Sequence, residues 1–285
     1  MNIPNYFWFF ILSGISLIVF IIAVIKHKEK KRLFQIYFII SGLAYIVDYI
    51  TLIIFQGYDY KPNLLKSFWF DSTVGSIVSQ GFAIPTAASI IAAFYYPFVT
   101  IILITILLIG IEEFFIKFNL YDHHWWRTWI TFILLPICFY LAKFCYKKLK
   151  NPTKAVQYIT MYLTISVYSN TLQFLLIVLF STHLYPIGWF SDPYRNTLAL
   201  NALIFFLYTF LITFVVMFQF KWYWIAGTLF FKWMVDDFLV KKGILFLAEH
   251  WNLFYFFILH LITILLFRFV YIKWFTNVSK QENGI

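Results

Sequence analysis

The sequence predicts an all-α, polytopic helical membrane protein. It predicts about nine transmembrane helices, as two parallel four-helix repeats behind an N-terminal helix. Three observations carry this. Of the 285 residues 62% are hydrophobic and only 12% charged, with a mean hydropathy of +0.81; soluble domains run at about 45–50% apolar. Apolar runs of roughly 20 residues recur along the chain, each enough to cross a hydrocarbon core of about 30 Å, and the short alternating segments of a barrel are absent. An acidic turn, Glu112-Glu113-Phe114 with Lys117, returns as Asp236-Asp237-Phe238 with Lys241. The pairs His124-Trp125 and His250-Trp251 follow them.

The first span covers 7–25 and ends in the basic run 26–32. The segment before it lacks the basic region of a cleaved signal peptide, so this span is expected to remain. Span two covers 33–55 and holds Asp48. A polar and aromatic loop follows, then span three over 74–94, which Pro85 is expected to kink. Tyr95-Tyr96-Pro97 makes a turn into span four, 98–118, with the acidic pair near its far end. Span five, 128–146, ends in a second basic run. Spans six to nine cover 155–180, 197–220, 225–240 and 251–272, and a polar tail begins at 273. The positive-inside rule places both basic runs in the cytoplasm, the N-terminus outside and the C-terminus inside, in the cell membrane. Only Glu29 and Glu282 among the 12 acids fall on the cytoplasmic side. The net charge of +10 sits at helix ends, as topology signals do, and argues against nucleic acid as a partner. Cys138 and Cys145 lie two helical turns apart on one run, too far for a disulfide.

The repeat extends beyond the acidic turns. Gln35 matches Gln157 and Asp48 matches Asn170, both 122 residues apart, and Tyr60 matches Tyr185 loosely. The predicted division is therefore 1–30 for the first helix and basic loop, 31–150 and 151–275 for the two repeats, and 276–285 for the tail. Four spans per unit make the repeat parallel, and such units often hold a site between halves.

The run Ile111-Glu112-Glu113, Lys117, His124-Trp125 and Arg127-Thr128-Trp129-Ile130-Thr131, with the Tyr95-Tyr96-Pro97 turn, resembles a family of small multi-span membrane proteins of spore-forming Firmicutes. The chain looks like a tandem version of that family, which implies the fold and no activity. A fainter likeness, carried by Asp48 and the Glu112-Glu113 pair, is to membrane-embedded carotenoid and terpene cyclases. It implies carboxylates acting as acid and base on an isoprenoid.

Intramembrane carboxylates are costly unless paired, protonated or in a wet cavity. Asp48, Glu112 and Asp236 are accordingly the candidate acid–base groups of an aromatic-lined cavity toward the outer face. Glu113, Lys232, Asp237, Asn170, Gln173, His124 and His250 are candidate ligand-binding residues. Against this, Glu113–Lys117 and Asp237–Lys241 have the favoured i, i+4 order of helix ion pairs, and Lys232 stands four residues before Asp236. No histidine spacing is diagnostic of a metal, and no motif calls for a cofactor. The partners expected are the lipid bilayer and a small lipophilic or cationic ligand; a homo-oligomer is compatible. A binding or transport protein, a carboxylate enzyme acting on a lipid, and a membrane scaffold or sensor are the three readings that remain.

Overall fold

The computed structural model describes residues 3–218 and 221–276; most of the tail, with Lys280 and Glu282, and the end of predicted span seven lie outside them. The protein is an all-α polytopic membrane protein. Among the described residues nine helical rods follow in the predicted order, and eight are long and apolar enough to cross a membrane. The ninth carries Lys232, Asp236, Asp237 and Lys241. The chain divides into two compact units, 1–152 and 153–285, at the second basic run.

In unit 1, α1 (Asn5–Lys26) precedes α2 (Lys30–Asp48), which continues as a π-helical stretch, Tyr49–Ile54. Strand β1 (Tyr58–Tyr60) follows. The third rod is composite: α3 (Phe68–Ser76), a π-helical stretch Ile77–Ala83, then α4 (Ile84–Ala93). It begins earlier than the apolar run implies because Ser67 caps it, accepting from Phe70 N. Pro85 acts here. Lacking an N–H, it cannot return a hydrogen bond to the Gly81 carbonyl four residues back. The Tyr37 hydroxyl of α2 donates to that carbonyl instead, at 2.6 Å. Tyr95, left-handed at φ 54°, and Pro97 make the turn to α5 (Phe98–Lys117). Then come β2 (Tyr121–His123) and α6 (Thr128–Lys148).

The core of unit 1 is the seam of α2, α4 and α6. Ala88, Ala92 and Ala142 bring the backbones close, with Ile36, Ile40, Ile91 and Phe139 fully buried between them. At one end Arg32 donates to Glu29 Oε2 at 2.5 Å and to the Tyr146 carbonyl at 2.8 Å. Its guanidinium lies 4.1 Å from the Tyr146 ring centre. That hydrogen bond from Arg32 holds the Glu29 carboxyl below its usual range.

Unit 2 runs α7 (Lys154–Phe180), β3 (His183–Leu184), α8 (Pro193–Met217), α9 (Trp222–Lys241), β4 (Phe246–Leu247) and α10 (Leu253–Tyr271), with a last π-helical turn at Ile272–Thr276. Asp192 caps α8, accepting from Tyr194 N and Arg195 N, so this helix too starts earlier than its apolar run. Met161, Ile165, Ile212, Val216 and Ile264 form the core.

Two short antiparallel strand pairs supplement the helices. In unit 1 Tyr58 faces His123, Asp59 faces Asp122 and Tyr60 faces Tyr121. In unit 2 His183 faces Leu247 and Leu184 faces Phe246. Each pair ties the loop after one rod to the loop after another.

Candidate functional site

Unit 1 encloses a hollow of about 310 Å³, at the small end of the roughly 300–1,000 Å³ typical of ligand pockets. Its polar end is built by the strand pair. Tyr58 and Tyr60 on β1, Tyr121 on β2 and Trp126 turn their rings into it, with Glu112 of α5 and Ser79 and Gln80 of the π-helical stretch. The rings support one another: Tyr60 and Tyr121 centres are 4.8 Å apart, Tyr58 and Trp126 5.5 Å. Gly75 lets β1 approach the third rod, since a Cβ there would stand 2.3 Å from Tyr60 Cβ. The remaining wall is mostly aliphatic, from Leu12, Leu108, Ile111, Leu134, Leu135 and Ile137, with Phe9 and Phe115. A second apolar hollow, about 460 Å³, lies between α1 and α5 and shares Leu12, Ile111 and Phe115 with the first.

Glu112 Oε1 lies 2.9 Å from His123 Nε2, both side chains being largely buried. Trp126 Nε1 donates to Thr131 Oγ1 at 2.9 Å, beside it on the wall. Glu113 turns away and accepts from Thr128 Oγ1 at 2.6 Å. Asp48 does not line the hollow; it stands behind Tyr58. Its carboxylate accepts from the Tyr58 hydroxyl at 2.5 Å and from the Ser76 hydroxyl. Burial, and then the Asp48 charge, push the Tyr58 phenol well up, so it remains a donor. The two π-helical stretches begin directly after Asp48 and Ser76; single π turns inside helices are frequent at functional positions. Across the strand pair Asp59 meets His124 and Lys61 meets Asp122.

The other predicted residues lie in unit 2. Asp236 is buried and accepts from Lys232 Nζ with both oxygens, at 2.5 and 2.6 Å. Asp237 pairs with Lys241 at 2.6 Å. Asn170 Nδ2 donates to the Ser166 carbonyl at 2.9 Å, and Gln173 is buried nearby in the sequence on the same helix. His250 Nε2 donates to the Phe180 carbonyl at 2.9 Å. Glu112 is thus the one candidate acid on the wall of the hollow, with Asp48 one side chain removed and Asp236 in the other unit.

Sequence reasoning passed over Tyr58, Asp71 and His183, and used Tyr60 only as a landmark of the repeat. Asp71 organises the loop after β1, accepting from the N–H groups of Asn63, Leu64 and Leu65 at 2.7–2.9 Å. The signal for the tyrosines was the alternation Tyr58-Asp59-Tyr60 between two spans. His183 is buried on β3, with Nε2 3.2 Å from Asn201 Oδ1 and Nδ1 2.9 Å from Thr182 Oγ1. Burial lowers its pKa to about 4; the Asn201 hydrogen bond opposes this, and the nearby Lys232 charge adds to it. The unfolded chain therefore binds a proton that the fold refuses between about pH 4 and 6.5. Stability is present in full above about 6.5 and falls as the pH drops toward 4, by about 3 kcal/mol at most. The difference in thermal melting between wild type and His183→Asn should shrink across that range as the pH drops.

Comparison with protein-family models, curated proteins and solved structures finds no match.

Proposed function

We propose that unit 1 is a membrane-embedded binding chamber for a small lipophilic compound, serving its transport or sensing. The observation that carries this is the hollow itself, an aliphatic chamber whose polar end gathers Glu112, three tyrosines and a tryptophan. A few convergent polar groups in an apolar pocket are the usual form of a small-molecule site. A lipophilic ligand is favoured because Leu134, Ile137 and Leu141, which line the chamber, are also exposed on the outer surface of α6. The α1–α5 hollow also meets the chamber at three shared residues. Access from the acyl region of the bilayer follows from both. The positive-inside rule supports an N-terminus outside the cell membrane, which would put the strand pair of unit 1 and Glu112 toward the outer leaflet.

The test uses purified protein in phosphatidylcholine vesicles and three photoreactive twelve-carbon probes, an amine, an alcohol and a carboxylic acid. At least one is expected to label peptides containing Tyr60, Leu108 or Leu135 saturably. Ala83→Tyr, which places a ring inside the chamber wall, should reduce that labelling about tenfold, and Gln80→Phe should do the same. If no probe labels the chamber above the level of exposed α6 residues, the binding reading fails.

A further inference from the structure

The acid of α9 already has an occupant. Lys232 Nζ, bonded to both Asp236 oxygens, lies 5.5 Å from the ring centre of Phe205 and 5.6 Å from that of Tyr208. His260 packs against the same two rings, tilted to Phe205 at 5.7 Å and edge-on to Tyr208 at 5.0 Å. Lys232, Asp236, Phe205, Tyr208 and His260 are all 5% exposed or less. Each has a counterpart 124 or 125 residues earlier: Asp236 with Glu112, Lys232 with Leu108, Phe205 with Gln80, Tyr208 with Ala83, His260 with Leu135. All five counterparts line the chamber of unit 1.

This correspondence follows landmarks. Helices α5 and α9 span the same 20 residues at a separation of 124. Strand partners Tyr58 and His123 correspond to His183 and Leu247. Tyr60 N donates to Ser72 Oγ at 3.0 Å, and 125 residues on Tyr185 N donates to Thr197 Oγ1 at 3.0 Å. His124 N donates to the Gly57 carbonyl as Ala248 N does to that of Thr182. Replacing Gln80 and Ala83 by rings, and Leu108 by a lysine, puts side chains where unit 1 has space.

We propose that Lys232 is a tethered occupant of a second, filled copy of the chamber, and that the ligand of the open chamber is its free equivalent, a lipophilic cation whose ammonium meets Glu112. The proposal rests on the binding reading of unit 1. A lysine side chain is an alkyl stem ending in an ammonium, and it is held here as an ammonium is best held, on a carboxylate and over aromatic faces. Unit 1 offers a carboxylate and aromatic faces of its own, Glu112 with Tyr60, Tyr121 and Trp126, on the wall of the chamber. His123, whose counterpart is the apolar Leu247, takes Glu112 Oε1 alone, at 2.9 Å.

Two experiments test it. With the three photoreactive probes, the amine is expected to label unit 1 about tenfold more than the alcohol or the acid, and Glu112→Gln should abolish the preference while leaving some labelling. Equal labelling of the chamber by amine and alcohol overturns the cation while the chamber stands; no labelling by any probe overturns both. For unit 2, Lys232→Ala should melt at a lower temperature than wild type. n-Butylamine should restore the melting temperature where n-butanol does not. Equal effects of the two overturn the tethered-occupant assignment.

Discussion

Asp236→Asn alone is expected to destabilise the detergent-solubilised protein more than Asp236→Asn combined with Lys232→Leu. The pair is buried, and both oxygens of the acid are taken by the same ammonium. Removing one partner of a buried ion pair leaves an uncompensated charge and costs about 3–5 kcal/mol, whereas replacing both by apolar or neutral groups of similar volume is often nearly neutral. Thermal melting of the two variants beside wild type decides this. A double variant as unstable as the single one would mean that the ammonium is stabilised by its aromatic neighbours rather than by Asp236.

Gly75→Ala is the second large effect. The added methyl would meet Tyr60 Cβ at 2.3 Å and Phe9 Cε1 at 3.0 Å. Tyr60 is buried, and its own N–H is held by Ser72 in the same turn region, so neither side can yield freely. Overpacking of this kind costs about 1–3 kcal/mol or more. Gly110→Ala is the control, because nothing lies within 4 Å of a Cβ there. Alanine in place of a mid-helix glycine should raise stability by about 0.5–1 kcal/mol. Melting temperatures that move together in the two variants would show that β1 does not press on the third rod.

The helical frame was legible because a hydrocarbon environment leaves the backbone few alternatives to the helix, and long apolar runs therefore mark the rods. Two starts were misplaced for one reason. The helices beginning at Phe68 and Pro193 extend past their apolar runs into polar sequence, and their caps, Ser67 and Asp192, read as loop residues. Glu112 was legible as an acid in an apolar run. Its surroundings were not, because Tyr58, Tyr60 and Tyr121 reach it through a strand pair too short to leave a period in the sequence. The two acidic turns looked alike and behave differently. Asp237 takes the expected lysine, Lys241, while Glu113 takes Thr128 from the next helix. The residue 125 positions beyond Thr128 is Leu253, which has no hydroxyl to offer. A competing partner from a neighbouring rod overrode a local rule in one unit only.

On the proposed binding reading, the strand pair of unit 1 also bears on how the ligand is delivered. Backbone hydrogen bonds between β1 and β2, reinforced by Asp59 with His124 and Lys61 with Asp122, tie the loops at that end together, while the α1–α5 and α6 sides are open and apolar. A compound arriving through those sides is first concentrated by the bilayer. Its occupancy then follows its mole fraction in lipid rather than its concentration in water. Among compounds with one head group, lengthening the hydrocarbon would raise apparent affinity in step with partitioning, by about 0.8 kcal/mol per methylene, even where the chamber itself gains no new contact.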